Sequence, residues 1–187
     1  MMHFTLFGLA GSLNRPSRTR LLVEEAVGMA EDRFGVRTSV ADLIDIGPSL
    51  GGARRLSDLD REARTVVDGL LGADALVVGT PVYKGSYTGL FKHLFDLLDP
   101  SDLADKPVLL AATGGGDRHA LVVEHQLRPL FGFFGAHSLA TAVYASEQDF
   151  ADGRLVSTPL RERVARAVDG FAPFLPAAVP VAHARAG

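Results

Sequence analysis

Hydroxyl, amide and guanidinium side chains crowd into residues 11–20, GSLNRPSRTR, directly after an apolar run. Gly11 permits a close backbone approach, and Pro16 restricts the path into the helical pattern that follows. Donors beside a helix N-terminus form a site for an anion, most naturally a phosphate. The segment matches neither the G-x-G-x-x-G dinucleotide-binding loop nor the P-loop. The alternative is an ordinary helix cap with solvated arginines.

Two glycine-containing segments follow later apolar runs. Residues 80–89, TPVYKGSYTG, combine a proline, two tyrosines, a lysine and small residues, which suits a loop laid along a flat heterocycle such as a flavin. Residues 113–119, TGGGDRH, let the backbone lie close against a ligand. Alone, each segment is also consistent with a turn or a flexible connection. Three such segments at one edge of a sheet would form a binding site.

Strand patterns alternate with helix patterns along the chain. Strands are predicted over residues 3–10, 36–43, 74–80, 106–114 and 138–146. Helices are predicted over residues 15–34, 61–72, 89–99, 118–135 and 157–174, and an irregular connection over 47–60. This alternation favours an α/β fold with a five-stranded parallel sheet and helices on both faces. Ligands bind such folds beyond the carboxyl ends of the strands, where the three segments lie.

The composition is that of an ordinary globular chain. It has 187 residues, a length that suits one domain with a sizeable core. Of these residues, 47% are hydrophobic and 22% are charged. A net charge of −3 indicates no nucleic-acid partner, and the lack of cysteine excludes disulfides and thiolate nucleophiles. No leader peptide or membrane-spanning run is evident, so a cytoplasmic protein is expected. A domain over residues 1–175 and a poorly ordered tail over 176–187 are predicted.

The three segments, extended to GTPVYKGSYTGLFKHLFDLLDP and ATGGGDRHALVVEHQLRPLF, resemble the NAD(P)H-dependent FMN reductases. The resemblance covers roughly residues 4–150. It is strongest to the branch that partners flavin-dependent alkanesulfonate and methanesulfonate monooxygenases. It implies a flavodoxin-like three-layer sandwich and FMN as a substrate or loosely bound cofactor. It also implies NADPH or NADH as the hydride donor and a homodimer or homotetramer.

The resemblance also implies which residues bind FMN. The phosphate would be held by Ser12, Asn14, Arg15, Ser17, Arg18 and Thr19. The isoalloxazine would be lined by Pro81, Val82, Tyr83 and Lys84, and at its other edge by Thr113, Gly114 and Gly115. Hydride transfer requires positioning and exclusion of water, so no general acid or base is assigned. Lys84 and Arg18 are candidates for offsetting charge on the reduced flavin or the nucleotide phosphates, with surface solvation as the alternative.

The histidines do not indicate a metal site. His119 and His125 are six residues apart, which on a helix places them about 240° apart around the axis. Zinc sites on helices use i, i+4 spacing instead. No metal is predicted.

A proline interrupts the helical pattern of residues 118–135. Pro129 has no N–H, so the carbonyl of His125 loses its helical partner. Such a break favours a π-bulge, and a simple proline kink is the alternative. In the reductases that this chain resembles, the corresponding helix contains a π-helix at the subunit interface beside the flavin. Its inserted residue is a tyrosine or a histidine. The resemblance places His125 at that position, where it would control flavin exchange.

These observations favour an NAD(P)H:FMN oxidoreductase that supplies FMNH2 to a flavin-dependent monooxygenase of the sulfonate-desulfonating type. A second hypothesis is a related reductase that retains FMN and reduces quinones, azo dyes or metal oxyanions. A third is a flavodoxin-type electron carrier, which the weak net charge and the arginine-rich loop disfavour.

Overall fold

Buried apolar runs form the centre of a parallel sheet in the computed structural model, which describes residues 4–176. The strands β1 (Thr5–Ala10), β3 (Ala75–Pro81) and β4 (Pro107–Thr113) are almost entirely buried, as expected for strands covered on both faces. The strand β2 (Arg37–Asp42) lies at an edge, and its exposure alternates at first. The sheet order is β2-β1-β3-β4-β5, which is the flavodoxin-like order.

Two short strands occupy the fifth position of the sheet. The prediction of one continuous strand over residues 138–146 was therefore wrong. The strands β5 (His137–Ser138) and β6 (Val143–Ala145) both pair in parallel with β4. Val108 pairs with Ser138 and Ala111 with Val143, so this edge carries two extra residues between the paired positions. A bulge fits here because β5 and β6 lie at the edge of the sheet that residues 4–176 form.

Helices cover both faces of the sheet. The helix α1 (Arg18–Phe34) is capped by Ser17 and by Gly35 at φ 63°, and it packs on one face with α6 (Thr158–Asp169). The other face carries α2 (Leu43–Ile46), α3 (Arg61–Gly72), α4 (Gly89–Asp96) and α5 (Arg128–Phe133). Aromatic rings fill this second core, with Phe95 4.8 Å from Phe91 and 5.0 Å from Phe131 between ring centroids.

The structure differs from the predictions in several element boundaries and contains short elements that were not predicted. The connection over 47–60 contains 3₁₀ turns at Pro48–Gly52 and Leu56–Asp58. A hairpin of β7 (Phe150–Ala151) and β8 (Arg154–Leu155) was not predicted. The final helix ends at Asp169 and is followed by a 3₁₀ turn, Ala172–Phe174. Residues 1–3 and all of the predicted tail beyond residue 176 lie outside the described residues.

The helical segment over 118–135 contains the predicted irregularity. A 3₁₀ turn, Asp117–His119, precedes a π-helix at Val123–Leu127, which leads directly into α5. The π-helix is centred on His125, so the prediction of a π-bulge at this residue is confirmed.

Candidate functional site

Backbone hydrogen bonds join the strand ends at the carboxyl edge of the sheet. The Gly11 amide donates to the Gly79 carbonyl at 2.6 Å, and the Gly114 amide donates to the Ala145 carbonyl at 3.0 Å. A Cβ at residue 11 would lie 2.6 Å from the Phe91 ring, so only glycine fits this approach. The loops after β1, β3 and β4 therefore start from a rigid common base.

The start of α1 presents hydrogen-bond donors. The Ser17 hydroxyl accepts from the Arg20 amide at 3.2 Å and donates to the Ser12 hydroxyl at 2.8 Å. Ser12 is buried although it is polar. The amides of Arg18 and Thr19 lie in the first turn, where a helix offers them no internal acceptor. This end of the site suits an anion.

A buried threonine joins the loops to one another. The hydroxyls of Thr19 on α1 and Thr113 at the end of β4 are 2.6 Å apart, and both side chains are buried. The Val82 amide donates to the Thr113 carbonyl at 2.8 Å. Thr113 thus fixes the helix start and the segment after β3 relative to β4.

Residues 83–86 form a tight turn beside the site. Tyr83 and Ser86 exchange backbone hydrogen bonds of 2.9 and 3.2 Å, and Lys84 and Gly85 have φ values of 54° and 85°. Two consecutive positive φ values define a type I′ turn. The Asn14 amide group donates to the Tyr83 hydroxyl at 3.3 Å, and Tyr83 is half exposed. The turn therefore presents an aromatic ring next to the first loop.

The Tyr144 side chain contacts the glycine loop after β4. Its hydroxyl donates to the Gly116 carbonyl at 2.5 Å, and a Cβ at Gly114 would overlap this hydroxyl. Burial raises the pKa of Tyr144, with a contribution from the nearby Asp117 and Asp149 carboxylates. The hydroxyl therefore remains a donor at neutral pH.

These loops enclose an open cleft of about 280 Å³. All but two of the predicted cofactor-binding residues line it. The lining residues are Ser12, Asn14, Pro16, Ser17, Arg18, Thr19, Pro81, Val82, Tyr83, Thr113, Gly114, Gly115 and Glu147.

Arg15 and Lys84 are not among the residues that line the cleft. The Arg15 guanidinium forms a bidentate pair with Asp42 at 2.8 and 2.9 Å and also contacts Asp45 at 2.6 Å. Lys84 occupies the exposed turn of residues 83–86. The structure thus gives Arg15 protein partners at the end of β2 and gives Lys84 a position beside the cleft.

Asp42 is the centre of this charge cluster. Its side chain is fully buried and also accepts from Arg20 at 2.9 Å. Burial raises the pKa of Asp42, but the hydrogen bonds from Arg15 and Arg20 outweigh it, so the net shift is downward. The same balance lowers the pKa of Asp45 to about 2. Both carboxylates are ionised at neutral pH and tie the first loop to β2.

Sequence reasoning missed Glu147 and Pro16. Pro16 lies inside the quoted loop, where it was assigned only a backbone role. Glu147 follows β6, and its carboxylate contacts Arg18 at 2.7 Å. The carboxyl end of a fifth strand belongs to the same sheet edge as the ends of strands one, three and four, so the sequence contains a signal for Glu147.

The π-helix is connected to the turn beside the cleft. The Ser86 hydroxyl donates to the Gln126 side-chain oxygen at 3.1 Å. Gln126 follows His125, which is exposed. A direct side-chain hydrogen bond therefore joins the π-helix to the turn that carries Tyr83.

Residues 4–176 show neither a metal site nor a membrane-spanning helix. No group of three His, Asp or Glu side chains is arranged to hold a metal ion in this part of the chain. None of its helices combines the length and apolar character needed to cross a bilayer.

The fold and the cleft define the class of protein. The strand order is flavodoxin-like, and the cleft lies at the carboxyl edge of the sheet. Hydroxyls, first-turn amides and a guanidinium at one end fit a phosphate, while Pro81, Val82, Tyr83 and the glycine backbone at the other end fit a flat ring. The residues present therefore fit a flavin mononucleotide.

Comparison with known proteins identifies the family. Residues 4–151 match the family model described as NADPH-dependent FMN reductase. The chain is 46% identical to an FMN reductase (NADPH) of Pseudomonas aeruginosa, covering 91% of this chain and 92% of that protein. It is 47% identical to the NADH-dependent FMN reductase SfnF of Pseudomonas fluorescens, covering 89% of each. A solved NADH:FMN oxidoreductase (EMOB, apo form) superposes with a TM-score of 0.78 at 28% identity, covering 93% of this chain and 91% of that one.

The chain belongs to the NADPH-dependent FMN reductase family. This confirms the predicted flavodoxin-like fold and the prediction of an oxidoreductase that uses FMN and NAD(P)H.

Proposed function

We propose that this chain binds FMN in the cleft, reduces it with NADPH or NADH, and releases FMNH2 to a flavin-dependent monooxygenase of the sulfonate-desulfonating type. The observation that carries the proposal is the cleft itself, which has hydrogen-bond donors at one end and Pro81, Val82 and Tyr83 at the other, at the carboxyl edge of a flavodoxin-like sheet. Relatives of nearly equal identity are named NADPH- and NADH-dependent, so both donors are included.

The proposed phosphate site comprises the Ser12 and Ser17 hydroxyls, the Asn14 amide, the Arg18 guanidinium and the backbone amide of Thr19. The Thr19 hydroxyl already bonds to Thr113, which leaves its N–H as the group available to an anion. Arg15 contributes to the same site by fixing the loop to the end of β2.

The proposed isoalloxazine site comprises Pro81, Val82 and Tyr83 on one side and Thr113–Gly115 on the other. FMN held between these two sides would supply a ring nitrogen, N5, as the acceptor of a hydride from C4 of the nicotinamide. The side chains of the cleft hold the ring and exclude water, and none of them needs to transfer a proton. Lys84, placed on the neighbouring turn, offsets the charge of the nucleotide phosphates.

Release of the product accounts for the partner and assembly we propose. The π-helix spans Val123–Leu127, and the flanking Leu121 and Phe133 are 63% and 70% exposed. Exposed apolar side chains on both sides of a π-helix support a subunit interface there, in a homodimer or homotetramer. Light scattering of the purified protein tests the assembly, and cell fractionation tests the expected cytoplasmic location.

One assay tests the proposed activity. The purified chain is first examined for bound flavin, and NAD(P)H oxidation is then followed with free FMN and, separately, with a quinone. We expect saturable dependence on added FMN and reduction of flavin by NAD(P)H. Tightly retained FMN with no dependence on added FMN would favour the flavin-retaining reductase instead. Flavin binding without NAD(P)H oxidation would favour the electron carrier.

A further inference from the structure

A carboxylate occupies the phosphate end of the cleft. Glu147 Oε1 lies 2.7 Å from Arg18 Nη2, and both residues line the cleft together with Ser12 and Ser17. Arg18 is the guanidinium among the lining residues, so its ion pair with Glu147 uses the positive charge that a phosphate at this end would need. An anion entering the site meets a guanidinium that already has an anionic partner.

The backbone holds Glu147 at this place. The Ala145 carbonyl accepts from Gly114, and the Ser146 amide and hydroxyl donate to Asp149 Oδ2 at 2.8 and 3.1 Å. Ser146 itself is buried. The carboxylate therefore starts from a fixed turn at the rim of the cleft.

The pair adds little to the stability of the fold. The side chains of Arg18 and Glu147 are 44% and 65% exposed, and exposed ion pairs of this kind contribute little. Such a pair opens readily, so Arg18 is free to turn to a phosphate. When the Arg18 guanidinium binds a phosphate, the Glu147 carboxylate loses its partner. The phosphate then lies near an unpaired negative charge.

We propose that Glu147 competes with the FMN phosphate for Arg18 and so weakens flavin binding enough for FMN to exchange as a substrate. This inference rests on the proposed function, because it takes the cleft as the FMN site. It makes Glu147 a specificity-determining residue: its effect falls on phosphorylated flavins and spares riboflavin, which has no phosphate.

Flavin titrations of the flavin-free protein test the proposal. Flavin fluorescence measures the Kd of FMN and of riboflavin for the wild type and for Glu147→Gln, which keeps the shape and removes the charge. We expect Glu147→Gln to lower the Kd of FMN by roughly two- to fivefold at low salt, the size that competition from an exposed ion pair can produce. The gain shrinks at high ionic strength, and the Kd of riboflavin stays unchanged.

Two controls make the test specific. Glu62→Gln on α3 removes the same charge from the opposite face of the sheet and should leave both Kd values unchanged. In an Arg18→Gln background, Glu147→Gln should gain much less, because there is no guanidinium to release.

Three outcomes would overturn the inference. The first is an FMN affinity in Glu147→Gln that equals or falls below that of the wild type. The second is an equal gain with and without Arg18, which would indicate direct repulsion alone. The third is an equal gain for riboflavin. Failure of the proposed function looks different, because the wild type itself would then bind no FMN.

Discussion

Arg128 donates its backbone N–H to the carbonyl of Val123, five residues earlier. An α-helix would use the carbonyl four residues earlier, so this bond accommodates one extra residue in the turn. Pro129 follows immediately and has no N–H to restore the α-helical pattern at His125. The sequence thus contains the cause of the insertion, and the Ser86–Gln126 hydrogen bond connects it to the cleft.

Deletion of His125 should return this helix to α-helical register. We expect the segment that carries Tyr83 to tighten against the flavin, so that the Kd of FMN falls by roughly tenfold, or about 1.4 kcal/mol. Transfer of reduced flavin to a monooxygenase should become slower. Flavin titration and a coupled monooxygenase assay measure the two effects.

The matched control is His125→Ala, which keeps the inserted residue and changes only an exposed side chain. It should retain the FMN affinity of the wild type. Unchanged affinity and turnover in the deletion variant would show that the π-helix does not govern flavin exchange.

Gly114→Ala should damage the flavin site through Tyr144. The new Cβ would overlap the Tyr144 hydroxyl and lie 3.2 Å from the ring carbon that bears it. Overpacking of this kind costs about 1–3 kcal/mol. We expect a lower melting temperature and weaker FMN binding, measured by thermal unfolding and by flavin titration.

Gly115→Ala is the comparison, because a Cβ there meets nothing within 4 Å. It should change stability little. Adding Tyr144→Phe to Gly114→Ala removes the overlapping oxygen and should restore part of the loss. Equal effects of the two alanine substitutions would contradict the steric explanation.

The sheet was predictable where burial is uniform. The strands β1, β3 and β4 are short apolar runs with clear ends, and α3 has the predicted bounds, Arg61–Gly72. The break between β5 and β6 was not predictable, because it depends on pairing with β4 and not on local composition. The hairpin of β7 and β8 carried a usable signal in Asp152-Gly153, a pair typical of two-residue turns.

The site was predictable to the extent that it follows strand ends. Three loops at one edge place Ser12, Tyr83 and Gly114 around a single cleft. The partners of charged side chains that lie far apart in the chain were not predictable from spacing. Arg15 pairs with Asp42, 27 residues away, and Arg18 with Glu147, 129 residues away. Such pairings depend on how the sheet is assembled.

Lys84→Asn separates a role toward the nucleotide from a role toward FMN. Lys84 has φ 54°, and asparagine tolerates positive φ better than most residues, so the turn should persist. We expect the KM for NADPH to rise by about three- to tenfold, as for the loss of an exposed charge contact. The Kd of FMN should stay constant. Steady-state kinetics and flavin titration provide both values, and a change confined to the FMN affinity would place Lys84 at the isoalloxazine.

Asp42→Asn should destabilise the first loop and alter the response of the protein to acid. The substitution removes the charge that Arg15 and Arg20 share, and charge-assisted bonds of this kind contribute about 1.5–3 kcal/mol. The folded protein lowers the pKa of Asp42, and it lowers that of Asp45 to about 2 from 3.8. A lowered folded-state pKa stabilises the protein above pH 4, and this contribution is lost as the pH falls toward 2. Denaturant unfolding between pH 7 and pH 2 should therefore show a smaller acid-dependent loss of unfolding free energy in Asp42→Asn than in the wild type.

Asp68→Asn is the control, because it removes an exposed partner of Arg64. It should lower the free energy of unfolding by less than about 0.5 kcal/mol and leave its dependence on pH unchanged. Identical acid profiles for the wild type and Asp42→Asn would show that this cluster does not contribute to acid stability.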